Sequence, residues 1–495
     1  MVNGNHNLSV YEQVIELAKR RGFFWPSFSI YHGESGFYDY GPLGVILRDN
    51  IVKIWKEAYL SDDTIFIDSP VIVPTAVFRA SGHLEKFSDL ATECASCHNR
   101  QKLETVMKAA GFQELLTTIN EAGKFLGEHI VKCVNCGKRI TEAYDFKLMF
   151  RMPGQSGSGD LFLRPETAQG IFVNFKLLNN FYRNRLPMAV AQLGKGFRNE
   201  ISPRQSLIRL KEFTQGEVEV FVDPEKKYWK EFHDDLEITL VPRTGMEIKM
   251  NIHAALEKHV MSSNAIAYFV HKTFEILSRI GVTPEKLRFR QQHTDELAHY
   301  SSDSWDAEAM LDGDWVEIVG IADRNDLKNH QTASGESMSV RIDDRDVIPS
   351  VIEPSYGIDR MFLSVLMHSF TINEKGFKVL KLPRDIAPYH AAVFPHLNKD
   401  GLDTMAKEFF EQIRRIDPYV TYDQSGSIGK RYARQDEIGT PYCITFDHES
   451  LADKSVTVRD RDSAEQIRIS VNDLLSGPVM ENKKLIEFSR QQAGP

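Results

Sequence analysis

Between Phe197 and Phe221 the chain reads FRNEISPRQSLIRLKEFTQGEVEVF, which gathers Arg198, Arg204, Arg209 and Lys211 and then follows them with Glu212, Glu217 and Glu219. The whole chain carries a formal net charge of -9, so this knot of cations is not background composition. Two strands joined by a loop through Pro203 and Ser206 account for the pattern, and strand alternation puts Arg198 and Glu200 on one face. A guanidinium offers a rigid fork for phosphate or carboxylate oxygens, while a carboxylate receives an ammonium group. Such a face suits a zwitterionic or phosphorylated ligand. Taken alone, the hairpin reads equally as a ladder of exposed cross-strand salt bridges. Elsewhere, RPET (Arg164 to Thr167), DWVEIVGIADR with Glu317, Ile318 and Arg324, and EPSYGIDR with Glu353, Pro354, Ser355 and Arg360 place acids or arginines at the ends of apolar strands.

Four of the five cysteines fall in two pairs, Cys94 with Cys97 in CASC and Cys133 with Cys136 in CVNCGKR. Two such knuckles supply a tetrahedral thiolate site for structural Zn²⁺, and the glycine after the second pair suits a tight turn. Redox-active or merely buried thiols are the other reading. His98 is either a substitute ligand or a solvated turn residue. Cys443, in PYCITFD, reads as a core strand residue.

These groups need elements to hold them. The 495 residues exceed what one hydrophobic core organises, and 26% charged with 42% hydrophobic residues is an ordinary globular composition. No uninterrupted apolar stretch is long enough to span a bilayer and the first residues lack an apolar signal region, so no membrane association and a cytoplasmic location are expected. Apolar residues at Leu43, Leu47, Ile51 and Ile54 predict a helix from Pro42 to Leu60, opened by its proline. TIFIDSPVIVPTAVF reads as a proline-interrupted strand. Residues from about 90 to 144 form a cysteine-bearing insertion, and those from about 223 to 304, helical from Ser262 to Arg279, form a second. After the proline-marked boundary KLPRDIAPYHAAVF, strands alternate with helices, which predicts a small α/β sheet over 383–495. Its GSIGKRYARQDEIG segment gathers Lys430, Arg431 and Arg434 at a helix start, suited to RNA phosphate or simply a solvated face.

GFFWPSFSIYHGESGFYDYGPLG, RPETAQGIFVNF, FRNEISPR, EFTQGEVEVF and EPSYGIDR occur in an order that resembles the glycyl-tRNA synthetases of the homodimeric, archaeal and eukaryotic kind, within class II. The hairpin is similar to motif 2, EPSYGIDR to motif 3, and the 42–60 helix with the following strand to the dimer-forming motif 1. The resemblance implies an α+β fold. A class II antiparallel sheet flanked by helices fills residues 1–382, and a C-terminal α/β anticodon-binding domain fills 383–495.

It also implies roles. Glycine and ATP become glycyl-adenylate, and the glycyl group passes to the 3' end of tRNA(Gly). Arg198, Arg324 and Arg360 are the implied catalytic cations. Arg198, Asn199, Glu200, Arg209, Leu210, Glu317, Ile318 and Arg360 are implied at ATP, with Mg²⁺ carried at Glu317. Glu166, Glu217, Glu353, Pro354, Ser355 and Arg100 are implied around glycine, although Arg100 reads equally as a solvated surface arginine. Acids crowded around one ammonium repel each other, so one carries a raised pKa or is offset by an arginine. A catalytically inactive, synthetase-like nucleic-acid-binding accessory protein is the competing reading. The presence of Arg198, Arg324 and Arg360 argues against it.

Overall fold

The computed structural model describes residues 8–114, 116–155, 159–203, 205–232, 236–294, 296–297 and 301–492. Its centre is a nine-stranded sheet. In chain order the strands are β1 (Ile65–Phe66), β2 (Met188–Phe197), β3 (Glu212–Val222), β4 (Glu237–Val241), β5 (Ile248–Asn251), β6 (Leu287–Gln291), β7 (Ser301–Leu311), β8 (Asp314–Arg324) and β9 (Ser350–Gly357). They lie side by side as β5-β4-β6-β7-β8-β9-β3-β2-β1. All neighbours are antiparallel except β1 with β2 and β4 with β6.

Strand alternation gives this sheet two unlike faces. In β3, Val218, Val220 and Val222 point to one side, and in β7 and β9 Trp305, Ala307, Ile352 and Tyr356 join them in the largest apolar core. Three helices cover that side: α2 (Pro42–Leu60), α4 (Asn264–Arg279) and α5 (Ile358–Ser369), through residues such as Ile51, Trp55, Phe269, Val270, Phe362 and Val365. The sequence marks where these helices begin. Proline opens α2, and the Ser263 side chain accepts the Ile266 N–H at the start of α4. On the opposite side the same strands present Gln215, Glu217, Glu219, Ser304, Asp306, Glu353 and Ser355. A short helix, α3 (Ala168–Val173), lies against this face, whereas α1 (Val10–Arg21) packs beside α5 and adds Val14, Leu17 and Ala18 to the apolar core.

The predicted 42–60 and 262–279 helices form almost residue for residue, but three expectations change. The hairpin is shorter than its sequence suggests: β2 ends at Phe197 and β3 starts at Glu212, so Arg198, Asn199 and Glu200 lie on the connection. TIFIDSPVIVPTAVF splits into β1, a strand at Ile72–Pro74 and a helix from Thr75 to Ala80. The 223–304 segment does not stand apart, since β4, β5 and β6 extend the central sheet and α4 packs on its apolar face. By contrast, the cysteine-bearing segment has its own three-stranded sheet (Ser88–Glu93, Arg100–Lys102, Tyr144–Lys147) and its own apolar cluster around Val106, Phe125 and Leu126.

The C-terminal unit has a separate core. Its sheet, β10 (Ala391–Pro395), β11 (Val420–Tyr422), β12 (Tyr442–Phe446), β13 (Ser455–Asp460) and β14 (Gln466–Ser470), is ordered β11-β10-β12-β13-β14, with helices α6 (Leu402–Ile416) and α7 (Ile428–Ile438). Cys443 is a buried strand residue as expected. Arg20 and Arg21 of α1 bond Glu437 of α7, tying the two units together. No helix among the described residues is long and apolar enough to cross a membrane.

Sheet and helix meet closely at Gly216 on β3, where an added Cβ would sit 2.9 Å from the Trp55 ring of α2. Gly216→Ala is expected to lower stability by about 1–3 kcal/mol through overpacking, read as a lower denaturant midpoint with an unchanged m-value.

Candidate active site

A cavity of about 210 Å³ opens over the polar face of the sheet, bounded by β3, β7, β8, β9 and the connection between β2 and β3. One end is cationic. The Arg198 backbone N–H still pairs across the hairpin with the Lys211 carbonyl (2.9 Å), and its Nε donates to the Pro165 carbonyl (3.2 Å). The guanidinium sits over the rings of Phe87 and Phe213, 5.5 and 5.2 Å from their centres. Arg360, in the first turn of α5, donates to the carbonyls of Ile208 (3.0 Å) and Glu317 (2.7 Å). Arg209 lies 3.8 Å from Glu200, and Leu210 and Ile318 complete the apolar wall. The GESGFYDYG segment braces this end: Lys211 donates its backbone N–H to Gly36 and reaches Glu34, while Tyr40 donates to Asp359 of GIDR.

The other end is acidic. Glu217 Oε2 accepts the backbone N–H groups of Thr167 (2.6 Å) and Ala168 (2.8 Å) at the start of α3, and Oε1 accepts the Ser355 hydroxyl (2.8 Å). Glu166 receives Arg324 (3.0 Å) and Gln169 (2.8 Å), with His83 Nε2 at 3.5 Å. Burial works against its charge, yet Arg324 and His83 hold the Glu166 carboxyl well below the usual range. Glu353 also contacts Arg324, but burial together with Glu217, Glu166 and Asp326 pushes it up to about 8. The expected strain among these acids is therefore present, and an arginine offsets part of it.

That arginine is not where a substrate-contacting cation should be. Arg324 is fully buried and does not line the cavity. It bonds Asp326 through two nitrogens (2.9 and 3.1 Å) as well as Glu166 and Glu353, over the ring of Phe172. Its role is to hold carboxylates. Three other expectations also move. Arg100 is exposed on the cysteine module and pairs with Glu93; its side chain does not line the cavity, while its carbonyl accepts the Ser202 hydroxyl of the connection between β2 and β3. The Asn199 N–H donates to the Leu148 carbonyl and its side chain does not line the cavity. Pro354 is a buried strand residue opposite Ile321. Arg164 is structural, its guanidinium tied to the carbonyls of Lys195 and Ser69. Arg204 lies outside the described residues.

Sequence reasoning missed a second acidic group on the same face. Asp306 and Glu308 on β7 lie near Glu317, and burial and Glu317 push Asp306 up to about 8 although Gln292 and Arg290 bond it. Arg288 and Arg290 both hold Glu308. The signal was there as the alternation of SWDAEA, which puts Ser304, Asp306 and Glu308 on one side. In the C-terminal unit, two of the three cations at the start of α7 are committed elsewhere: Arg431 is buried against the carbonyls of Pro395 and Gly426, and Arg434 pairs with Asp423. Lys430 alone of the three remains exposed.

The four paired cysteines converge. Their sulfurs lie within 4.8 Å of one another, with Cys94 to Cys136 at 3.5 Å and Cys97 to Cys133 at 3.7 Å. A tetrahedron of thiolates at the usual zinc bond length has edges of about 3.8 Å, and a disulfide would be far shorter. Both knuckles turn alike: the N–H groups of His98 and Gly137 return to the carbonyls of Cys94 and Cys133, each residue with positive φ. The Asn99 N–H draws the Cys97 thiol down to about 6. His98 points to Glu93, leaving a four-sulfur donor set.

Replacing Arg324 by Met leaves Glu166, Glu353 and Asp326 without their shared guanidinium, with only His83 beside Glu166. The expected cost is about 3–5 kcal/mol, measured by thermal or denaturant unfolding, and Arg324→Lys restores little of it because a point charge cannot bridge three carboxylates.

Comparison with known proteins accords with this geometry. Residues 144–369 match the family described as tRNA synthetase class II core domain (G, H, P, S and T), and residues 390–477 match an anticodon binding domain. The chain is 39% identical to the glycine–tRNA ligase of Methanothrix thermoacetophila, over 94% of this chain and 97% of that one. It is 37% identical to that of Methanocaldococcus jannaschii, over 94% and 98%. Among solved structures, the prolyl-tRNA synthetase of Cryptosporidium parvum superposes with a TM-score of 0.60 at 13% identity, covering 99% of this chain and 80% of that one. That of Giardia lamblia, solved with prolyl-adenylate, gives 0.61 at 15%, over 98% and 79%. These two share the fold. With an antiparallel sheet that carries arginines at one end of its cavity and glutamates at the other, and with this identity along almost its whole length, the chain belongs to the glycine–tRNA ligase family of the class II tRNA synthetases.

Proposed function

We propose that this protein joins glycine to ATP, giving glycyl-adenylate and pyrophosphate, and then transfers the glycyl group to the 3' end of tRNA(Gly). The observation that carries the reading is the polarity of one cavity: Arg198, Arg209 and Arg360 at one end, Glu166, Glu217 and Glu353 at the other. A glycine whose ammonium lies among the glutamates directs its carboxylate toward the arginines, where the triphosphate is held. A carboxylate oxygen attacks the α-phosphorus, the new O–P bond forms, and the bond to pyrophosphate breaks. The carboxylate is already ionised at neutral pH, so no general base is required. Rate comes from alignment and from cations fixed around the developing phosphorane charge. Arg198 is assigned to the α-phosphate and the glycine carboxylate, Arg360 to the γ-phosphate. Glu200, Arg209, Leu210 and Ile318 form the adenosine side. Glu317 and Asp306, which line the same cavity, would hold Mg²⁺, and the ion would supply charge neutralisation to the phosphates; Glu308 behind them is held by Arg288 and Arg290.

Glycine offers no side chain to grip, so discrimination rests on exclusion. Ser355, fixed by its bond to Glu217, stands where a larger amino acid would extend from the α-carbon. Overlap rejects bigger substrates strongly, and no smaller amino acid competes. The division into a catalytic unit (1–382) and an anticodon-binding unit (383–495) is supported by a second core around the C-terminal sheet, while Ile386 and Ile438 of that unit pack into the core of the first. Exposed Leu177 and Phe181 offer apolar surface for a homodimer. The four cysteine sulfurs suit structural Zn²⁺.

Glycine-dependent ATP–pyrophosphate exchange, run beside alanine, serine and proline, tests the reading: exchange is expected with glycine alone. Arg198→Ala is expected to lower kcat by about 10²–10³-fold, and unchanged exchange would remove its assignment. Replacing Cys133 and Cys136 together by serine is expected to abolish the bound zinc found by metal analysis, with local unfolding of the 88–147 module seen by hydrogen exchange.

A further inference from the structure

Glu219 is the one acid of the hairpin's second strand facing this site that the mechanism leaves without a part. It follows Glu217 by two residues on β3, so it shares that face, and it is fully buried. β3 and β9 pair with Glu217 opposite Ser355 and Val220 opposite Ile352, which sets Glu219 across from Glu353. The ladder is interrupted at this point, where Pro354 has no N–H to give. The two carboxyls meet there. An ionised carboxylate can only accept hydrogen bonds, and among the described residues no donor reaches either oxygen of Glu219. The charged groups around the pair are Glu217 on the same strand, Arg324 on β8 with Asp326 just beyond it, and Glu166 ahead of α3. Arg324 bonds Glu353, Glu166 and Asp326, and does not hydrogen-bond Glu219. Like charges directly opposed on neighbouring strands and out of reach of water cannot both persist.

We propose that Glu219 is held as the neutral acid and donates its proton in a hydrogen bond to the carboxylate of Glu353, acting as a positioning residue that aims Glu353 at the ligand ammonium and fixes how much negative charge the pocket presents. The inference rests on the glycine-activating reading, because it takes an ammonium as the group to be received. Burial, with Glu353 and Glu217 nearby, raises the Glu219 carboxyl well above the usual range, with Arg324 opposing. Glu353 itself stands at about 8. Since the ammonium is received by ionised Glu353, glycine affinity increases as pH rises through that value. Removing the donor at position 219 destabilises the Glu353 anion and moves its titration to higher pH.

The test follows KM for glycine and for ATP in the exchange reaction across neutral and alkaline pH. Glu219→Leu, which removes the donor, is expected to raise the glycine KM at neutral pH by about tenfold or more and to shift its alkaline fall to higher pH, with the ATP KM unmoved. Glu219→Gln, which keeps an N–H donor, is expected to bring both back toward the wild type. Infrared spectra give a reading without turnover: at a pH above the range in which Glu353 and Asp306 ionise, the wild-type protein keeps a carboxylic-acid carbonyl band that Glu219→Gln removes. If Gln impairs glycine binding as much as Leu, or if no band is lost, the proton is not on Glu219 and the proposal falls. A wild-type protein that shows the band but no glycine-dependent exchange overturns the activity reading instead, with the proton still assigned.

Discussion

A single guanidinium, fully buried among three carboxylates, makes the polar face of this sheet possible. Without Arg324, strands β3 and β9 would bring Glu217, Glu219 and Glu353 together beside Glu166 and Asp326 in an environment that water cannot screen. Ionised groups removed from water are costly unless each finds a partner with good geometry. Arg324 supplies that partner through its fork, and the amides at the start of α3 supply another to Glu217. The apolar face behind is the other half of the bargain: three helices bury valines, Trp305 and Tyr356, so the strands stay in register while their acidic side remains open to a ligand.

The two ends of the cavity are built differently because they meet different charges. The acidic end lies within the sheet, its side chains set by cross-strand pairing before any ligand arrives. The cationic end lies on the connection after β2 and on the first turn of α5, where aromatic rings and backbone carbonyls orient the guanidinium groups. A small zwitterion fits across the junction, ammonium toward the sheet and carboxylate toward the connection. Its length fixes where the attacking oxygen comes to rest, so positioning and selectivity arise from the same geometry.

Much of this was legible in the sequence. Proline-led and helical segments gave α2 and α4, and apolar strand runs gave β3 and β8, while the split between core valines and site glutamates emerged from the structure. The cysteine spacing pointed to a four-sulfur cluster that the fold assembles. What could not be read was burial. Arg324, Arg198 and Arg360 look alike in a string of letters, and only the depth of β8 separates the first from the others. Arg431 and Arg434 were misplaced for the same reason: near a helix start they resemble a phosphate site, but carbonyls and Asp423 have already claimed them. The 223–304 segment hid its role because its short strands join the sheet at a distant edge, through pairings no local pattern records. Asp306 and Glu308 went unnoticed because an acid on a half-buried strand reads first as a solvated face.

The partners of an arginine therefore say what it is for. Arg198 is held by one carbonyl and two aromatic faces, and Arg360 mainly by carbonyls, with the Glu317 carboxylate more distant at 3.3 Å. Neutral partners orient a guanidinium without cancelling its charge, so these side chains keep their field for an anion that has yet to arrive. Arg324 is surrounded by carboxylates and has no such field left. The same logic applies in reverse to the acids. Glu217 is oriented by amides and a hydroxyl, which leave its negative charge intact for an ammonium, whereas Glu166 is compensated by Arg324. In this site the charge left for a ligand lies on the groups oriented by neutral dipoles, Arg198, Arg360 and Glu217, and on Glu353, which shares Arg324 with two other carboxylates. Arg324 itself, divided among three acids, holds the fold.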